Sequence, residues 1–149
     1  MNINIDKILL ELKSLPKYDT QISLQTVEGC TDYNYDTGMF TSLNNNKEKN
    51  FIIPLFDIPY TNSIIKDLGM YRTRLMRMHS KTCYSYHIDP TQRIHIPLIT
   101  NDNCFMVIDD KVIRYPADGN YYIMNTTKIH TAVNASFKER IHIVGCVDV

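Results

Sequence analysis

A series of short β-rich runs after Gly69 is the feature that most constrains how this chain can fold. Eight runs occupy residues 71–79, 82–87, 93–100, 104–109, 111–115, 121–125, 129–134 and 140–147. Turn-forming residues separate them, such as Asp89-Pro90 and Asp118-Gly119-Asn120. Short strands at this close spacing favour an antiparallel sandwich or barrel, and the sequence therefore predicts a mainly β fold of jelly-roll type.

The segment before Gly69 has a different pattern, which predicts two helices. In residues 4–14, apolar side chains recur at helical spacing until Pro16 ends the pattern, as in an amphipathic helix. A second, short helix is predicted from an N-cap at Thr61 through Leu68, with Gly69 ending it.

A strand and a long polar loop lie between the two predicted helices. Residues 21–27 alternate apolar and polar side chains, as a half-buried strand does. Residues 28–50 are rich in Gly, Asn, Asp, Thr and Lys, with Tyr33 and Tyr35 among them. Loops of this length are uncommon in compact domains and are usually functional. A lid over a site is one interpretation, and surface packing or an oligomer contact of the two tyrosines is the other.

Length, charge and cysteine content limit the class of protein. With 149 residues the chain is predicted to be one domain, with a β core in residues 70–149 and a helical and loop part in residues 1–69. Sixteen basic residues balance sixteen acidic ones, which argues against a nucleic-acid-binding surface. No apolar run predicts a membrane span or a secretory leader. The four cysteines are far apart with no C-x-x-C pair, so we expect free thiols in a cytoplasmic protein.

Arginine and histidine are concentrated in the second half of the chain. All six arginines and all five histidines lie between Arg72 and His142. Arginine binds carboxylates with a rigid planar fork, and histidine is the commonest metal ligand in proteins. We therefore expect the chemistry of this protein in the predicted β core.

The tripeptide His87-Ile88-Asp89 can direct a histidine and a carboxylate to one point, because residues i and i+2 of a strand share a face. His130, in a later run, is a candidate third ligand. Two imidazoles and one carboxylate form the facial triad of non-haem Fe(II) oxygenases, which leaves coordination positions open for other ligands. A surface turn at Asp89-Pro90 is the alternative, and it is the commoner one for H-x-D taken alone.

Two later runs alternate strictly between polar and aliphatic side chains. In Arg93-Ile94-His95-Ile96-Pro97-Leu98, Arg93 and His95 share one face and the aliphatic residues share the other. Residues 140–143 repeat the pattern with Arg140 and His142. Such faces are expected of strands that line a polar cavity inside a β-sandwich, whereas an exposed strand more often carries Lys, Glu and Thr.

Six motifs occur in order along the β-rich half of the chain. They are Arg72-Thr-Arg-Leu-Met-Arg-Met, His87-Ile-Asp89, Arg93-Ile-His-Ile-Pro-Leu98, Asp118-Gly119, His130-x-x-x-Asn134 and Arg140-Ile-His142. Together they resemble the aspartyl/asparaginyl β-hydroxylase family over residues 70–147, while residues 1–69 carry no matching motif. The resemblance implies a double-stranded β-helix, which is a cupin-like jelly roll, and dependence on Fe(II), 2-oxoglutarate and O₂. The chain is also similar to some bacterial free-proline hydroxylases.

The resemblance also implies roles for single residues. The implied iron ligands are His87, Asp89 and His130. Arg140, ten residues after His130, would hold the remote carboxylate of 2-oxoglutarate, while Arg93 and His95 would line the co-substrate site. Animal β-hydroxylases have glycine where this chain has Asp89, so the chain resembles the branch with a complete triad. The implied reaction hydroxylates a free amino acid or a residue in a peptide or protein, of the Asp/Asn or Pro type, and releases succinate and CO₂.

Functions of two other classes stay open at this point. One is a cupin-like binding or isomerising domain, although the H-x-H and Glu signature usual for its metal is absent. The other is a non-catalytic β-sandwich that serves as an interaction module. His79 and His142 are expected to be structural or peripheral. Strand parity predicts that Arg72 and Arg74 face one side of their strand and Arg77 the other. Either one or two of them contact a carboxylate-bearing substrate, or they lie on a solvated strand face.

Overall fold

Two antiparallel sheets form the frame of the computed structural model, which describes residues 1–35, 37–40 and 46–149. Strands β1 to β11, in chain order, are Gln21–Ser23, Gln25–Thr26, Ile53–Pro54, Tyr71–Met78, Thr82–Cys83, Gln92–Ile99, Cys104–Ile108, Lys111–Ile113, Tyr122–Met124, His130–Asn134 and Arg140–Val147. The larger sheet has the strand order β1-β4-β11-β6-β9, and the smaller sheet has the order β5-β10-β7-β8. Strands β2 and β3 form a separate pair.

All eight runs predicted after Gly69 contain strands, so the prediction of a mainly β, jelly-roll fold is confirmed. The bounds of seven runs agree with the structure within one or two residues. The run 82–87 differs, because β5 covers only Thr82–Cys83. The chain then rejoins the smaller sheet at His87, through a single antiparallel bridge to His130.

The larger sheet has an aliphatic outer face and a polar inner face, as the alternation in β6 and β11 predicted. Buried outer-face residues that pack with the helices include Leu75, Ile94, Ile96, Ile141 and Ile143. Burying each such side chain stabilises the fold by roughly 1.5 to 3 kcal/mol. Because a slip of one residue would exchange the two faces, this burial fixes the register that directs the arginines and histidines inward.

The first helix, α1, spans Ile5–Leu12, within the predicted range. Asn4 caps it, because its side-chain oxygen accepts a hydrogen bond from the backbone N–H of Lys7 at 3.0 Å. The buried Ile8 anchors the helix on the outer face of the larger sheet.

The second helix begins earlier than predicted. Helix α2 spans Pro59–Asp67, so Thr61 lies in its first turn, and the prediction of Thr61 as N-cap was wrong. The cap comes from the other helix: the Glu11 carboxylate accepts from the backbone N–H groups of Tyr60 at 2.9 Å and Thr61 at 2.7 Å. A carboxylate fifty residues away thus satisfies N–H groups that a local cap would serve. Gly69 ends the helix with a φ of +64°, as predicted.

The predicted strand over residues 21–27 is divided between β1 and β2. In the segment after it, Tyr33 packs against Phe56 and Tyr35 stacks on Phe51, so the two tyrosines support the N-terminal part of the fold.

The long segment 28–50 is described only in part, because residues 36 and 41–45 of the predicted lid lie outside the described residues. A 3₁₀ turn at Glu48–Asn50 closes the segment. Within the described ranges, no helix combines the length and apolar character needed to cross a membrane. All four cysteines are described, and they carry free thiols.

Candidate functional site

A cavity of about 500 Å³ lies between the two sheets. Its walls come from the inner faces of β4, β6 and β11 in the larger sheet and of β7 and β10 in the smaller one. Gly38, Met39 and Phe40 border it from the N-terminal part. The charged and imidazole side chains on its wall are Arg74, His87, Asp89, Arg93, His95, His130 and Arg140. All six residues that the sequence nominated for metal or co-substrate binding therefore border one cavity.

Backbone pairing brings the three candidate metal ligands together. His87 and His130 exchange two backbone hydrogen bonds of 3.0 Å across their bridge, and their ring centroids are 4.3 Å apart. The backbone N–H of Asp89 donates to the carbonyl of Thr126 at 2.9 Å, which anchors the carboxylate beside both rings. One ligand atom from each of the three side chains lies within 4.8 Å of the other two.

Hydrogen bonds to carbonyls fix both rings in the tautomer that a metal needs. Nδ1 of His87 lies 2.8 Å from the carbonyl oxygen of Ser85, and Nδ1 of His130 lies 2.8 Å from that of Lys128. A carbonyl only accepts, so each Nδ1 carries a proton, and in the neutral ring each Nε2 keeps a lone pair. Those lone pairs face Asp89, whose oxygens lie 3.9 Å from Nε2 of His87 and 3.3 Å from Nε2 of His130. This donor set fits a divalent metal of the non-haem iron type.

Asp89 is charged at neutral pH. Burial raises the pKa of its carboxyl, but the hydrogen bond with His130 and the charge of Arg93 outweigh burial and hold the pKa below its ordinary value. Burial lowers the pKa of His130, whereas the contacts with Asp89 and with the Lys128 carbonyl raise it, and the net shift is upward. Asp89 therefore presents an ionised carboxylate to a cation.

Arg93 contacts Asp89 from the side of the larger sheet. Its Nη2 lies 3.4 Å from Oδ1 of Asp89 and 3.1 Å from Oε2 of Glu48. Its Nη1 donates to the Thr91 hydroxyl and lies 2.9 Å from the Cys146 sulfur. These contacts hold the Asp89 carboxylate in place, and the predicted contact of Arg93 with a co-substrate stays a prediction.

Glu48 is the centre of a buried charge network that sequence reasoning missed. Its carboxylate pairs with Arg72 at 2.8 Å and with Arg93 at 3.1 Å, and it accepts from the Cys146 thiol at 3.3 Å. Burial raises the pKa of Glu48, but the charge of Arg93 and the hydrogen bonds to its oxygens bring it below its ordinary value. The local sequence Lys47-Glu48-Lys49 is typical of a solvated loop, and the bonding partners Arg72 and Cys146 lie 24 and 98 positions away. No local signal could have found this residue.

Arg140 is buried without an anionic partner among the described residues. The residue is 2% exposed, its Nη1 lies 3.8 Å from the sulfur of Met106, and its Nε has no hydrogen-bond partner. Burial lowers the pKa of this guanidinium. His95, also on the cavity wall, likewise leaves its Nε2 without a partner. A buried cation without a counter-ion is costly, so this end of the cavity fits an anion.

Comparison with protein families agrees with this geometry. The family model described as aspartyl/asparaginyl beta-hydroxylase matches residues 4–149. The chain belongs to the aspartyl/asparaginyl β-hydroxylase family. The match also includes the N-terminal part, in which the sequence motifs gave no resemblance, and Glu48 ties that part to the arginines of the cavity. A comparison with curated proteins finds no match.

Solved structures similar to this β-hydroxylase family member include two that carry cupin names. A cupin domain from Bordetella pertussis Tohama I has 13% identity and a TM-score of 0.45, covering 52% of this chain and 81% of that one. A Cupin 2 conserved barrel domain protein from Salinispora arenicola has 14% identity and a TM-score of 0.42, and the match covers 52% of this chain and 62% of that one. A predicted oxalate decarboxylase from Thermotoga maritima has 10% identity and a TM-score of 0.45, and the match covers 58% of this chain and 73% of that one. Likenesses this distant say nothing about what the chain binds.

Strand parity correctly predicted the directions of the β4 arginines in this family member. Arg72 and Arg74 point inward and are buried, so a solvated strand face is excluded for both. Arg77 lies on the other face, where its Nε is 2.9 Å from the Glu139 carboxylate. Arg72 adopts a φ of +47° where the pairing of β4 with β11 shifts register, and this β-bulge aims its guanidinium at Glu48.

Arg74 differs from Arg72 in its partners. Its Nη1 donates to two neutral acceptors, the Gln21 side-chain oxygen at 3.0 Å and the Gly38 carbonyl at 3.1 Å. Its Nε has no hydrogen-bond partner among the described residues. Burial lowers the pKa of Arg74 to about 10, and the nearby charges of Arg72 and Arg93 contribute. The cavity therefore has a second arginine that forms no ion pair with a carboxylate of the described residues.

Proposed function

We propose that this protein is an Fe(II)- and 2-oxoglutarate-dependent dioxygenase that hydroxylates an amino acid, or an amino-acid residue in a peptide or protein, of the Asp/Asn or Pro type. The observation that carries the proposal is that His87, Asp89, His130 and the unpartnered Arg140 border the same cavity. A metal site alone would suit many functions. A metal site beside a buried, unpaired arginine suits an anionic co-substrate that binds the metal at one end and the arginine at the other.

His87, Asp89 and His130 would hold the iron, since their lone pairs converge and their other ring nitrogens are already engaged. When both are bound, iron and 2-oxoglutarate supply the O₂-dependent hydroxylation of a C–H bond, with release of succinate and CO₂. Arg93 keeps one oxygen of Asp89 in place through its ion pair. Three protein ligands would leave coordination positions of the iron open for other ligands.

Arg140 would bind the remote carboxylate of the co-substrate. A carboxylate that leaves water for a buried site needs paired charge and hydrogen bonds, and Arg140 offers both, because its contacts with the described protein are so few. Its planar fork suits two-point binding of a carboxylate. His95 adds an unpartnered nitrogen beside it on the wall.

Arg74 would bind a carboxylate of the substrate. In the register of the larger sheet, Arg74 lies opposite Val144, four residues along β11 from Arg140. At about 3.3 Å per residue, the backbones of the two arginines lie roughly 13 Å apart along the sheet. Arg93 already pairs with Glu48 and Asp89, whereas Arg74 and Arg140 form no ion pair with a carboxylate of the described residues. Two cavity arginines without an anionic partner there favour two anionic ligands, the co-substrate and an acidic substrate.

The test is a screen of free amino acids and of peptides that contain Asp, Asn or Pro. The protein, reconstituted with Fe(II) without oxygen and then exposed to O₂ with 2-oxoglutarate, should release succinate in step with the gain of one oxygen mass by a substrate. A protein that takes up no iron under these conditions, or that binds iron without binding 2-oxoglutarate, would refute the proposal. The latter result would favour a cupin-like binding or isomerising domain, and the former a non-catalytic β-sandwich.

A further inference from the structure

Two buried histidines that face each other lie beyond the metal site, on the inner face of the larger sheet. Nδ1 of His95, on β6, lies 3.2 Å from Nδ1 of His142, on β11. The rings meet edge to face, with centroids 5.4 Å apart and planes at 85°. Both residues are less than 5% exposed, and Nε2 of each ring has no hydrogen-bond partner among the described residues. Each ring is therefore the hydrogen-bond partner of the other.

The contact between the rings holds one proton. Burial keeps both rings neutral, because it lowers the pKa of His95 to about 3 and that of His142 well below its ordinary value, with the charge of Arg140 adding to both shifts. A neutral imidazole has one N–H, so one ring donates from Nδ1 and the other accepts at Nδ1. The accepting ring must then carry its own proton on Nε2. The pair thus has two arrangements that differ in which Nε2 is a donor.

The surroundings of the two Nε2 atoms differ. His95 borders the main cavity together with Arg140. His142 instead borders a void of about 10 Å³, with Arg140, Met106 and Tyr115 among its other walls. A void of this size is at the lower limit for one water molecule. An N–H at Nε2 of His142 has no acceptor among the described residues, and the void leaves little room for one, whereas His95 borders a cavity that an acceptor can enter.

We propose that His142 is a positioning residue that donates its Nδ1–H to His95 and thereby keeps the proton of His95 on Nε2, as a donor to the co-substrate carboxylate beside Arg140. This inference rests on the proposed binding of 2-oxoglutarate. A carboxylate only accepts, so the opposite arrangement would direct a lone pair of His95 at a negative charge. His142 does not border the main cavity and acts through His95.

Two substitutions separate this role from mere packing. His142→Leu removes the donor and keeps an apolar side chain, whereas His142→Asn places a side-chain N–H near the position of Nδ1. For His142→Leu we expect the affinity for 2-oxoglutarate, measured by anaerobic calorimetry with Fe(II) present, to fall about tenfold, the equivalent of ~1.4 kcal/mol. Fe(II) affinity should stay at the wild-type level, and His142→Asn should recover most of the loss. Equal losses in the two variants, or none in His142→Leu, would overturn the proposal.

Imidazole ¹⁵N–¹H correlation spectra of the metal-free protein give a second readout that does not depend on ligand binding. The expected spectrum shows the proton of His95 on Nε2 and that of His142 on Nδ1, and the reverse pattern refutes the assignment. If the wild-type protein with Fe(II) fails to bind 2-oxoglutarate, the proposed function fails, while the spectrum still decides the tautomer of His95. If the wild type binds and His142→Leu binds equally well, only the role of His142 fails.

Discussion

Nε2 of His130 lies 3.3 Å from Oδ2 of Asp89, although the hydrogen bond of Nδ1 to the Lys128 carbonyl leaves Nε2 without a hydrogen when the ring is neutral. A second ring proton or a metal ion between the two atoms would turn this contact of two acceptors into an attraction. The upward shift of the His130 pKa has the same origin, since the contact with Asp89 offsets the effect of burial. A proton and a metal ion therefore compete for one place.

The first prediction concerns His130. With Fe(II) and 2-oxoglutarate under anaerobic conditions, the wild-type protein should show a weak visible charge-transfer band, and His130→Ala should abolish it because one of three ligands is lost. His79→Ala is the matched control, since His79 is exposed and pairs with Asp19 outside the cavity. An unchanged band in His130→Ala would mean that the third ligand is another residue.

Asp89 provides the second prediction. Asp89→Ala should weaken Fe(II) binding and stop or uncouple turnover, because it removes the carboxylate charge and one fixed ligand position. Iron stoichiometry and coupled succinate release are measured together with the thermal transition, which a misfolded variant would lose. Near-native coupled activity of Asp89→Gly would show that His87 and His130 hold the metal alone, as in the animal relatives.

The third prediction concerns Arg140. Arg140→Ala would leave the co-substrate carboxylate buried without its partner, at a cost of about 3 to 5 kcal/mol. At ~1.4 kcal/mol per decade, the affinity for 2-oxoglutarate should fall by more than two decades in a binding titration. Arg114→Ala serves as control, because Arg114 is exposed and does not border the cavity. If Arg140→Ala keeps its affinity for 2-oxoglutarate, Arg93 or another arginine binds the remote carboxylate.

A fourth prediction separates the substrate from the co-substrate. Arg74→Gln keeps a polar side chain near Gln21 and removes the charge, so the KM for the hydroxylated substrate should rise about tenfold or more, which corresponds to ~1.4 kcal/mol. The KM for 2-oxoglutarate should change far less, because Arg74 stands away from Arg140 along the sheet. Parallel rises in both constants would show that Arg74 supports the cavity as a whole.

Glu48 gives a prediction on stability. Glu48→Gln removes the negative charge between the buried Arg72 and Arg93, and breaking a buried pair of this kind costs about 3 to 5 kcal/mol. The free energy of unfolding in urea should fall accordingly, whereas Glu28→Gln, at an exposed position, should leave it nearly unchanged. A loss no greater than that of the control would mean that the network contributes nothing to folding.

The carboxylate of Glu48 also predicts that the free energy of unfolding decreases at acidic pH. The pKa of Glu48 is lower in the folded protein than its ordinary value of 4.5. Its contribution is therefore complete above pH 4.5 and is lost as the pH falls from there through the folded-state pKa. Unfolding titrations of the wild type and of Glu48→Gln between neutral and acidic pH measure this, and the variant should show the shallower decline. An equal decrease of the free energy of unfolding with pH in both proteins would mean that Glu48 does not cause the decrease.

Regular patterns in the sequence were sufficient to predict the β frame and the position of the site within it. The alternation in β6 and β11 determines that their arginines and histidines share a face, because a strand has a period of two residues. The spacing of His87 and Asp89, together with His130 in a later strand, identified the residues that the structure brings within 4.8 Å. These signals come from residues that are close together in the sequence, or from the same short pattern in several strands. They can therefore be recognised before the fold is known.

Only the tertiary structure decided which distant polar groups meet. Glu11 caps a helix fifty residues away, and Glu48 forms ion pairs with two arginines of the larger sheet. His142 contacts His95 on the neighbouring strand. The local sequence of each of these polar groups does not indicate its partner, which depends on the burial that surrounds the group. A polar group removed from water must find a partner among whatever the fold places nearby, and sequence distance does not enter that choice. The sequence determined the strands and the inward faces, and folding determined the pairs.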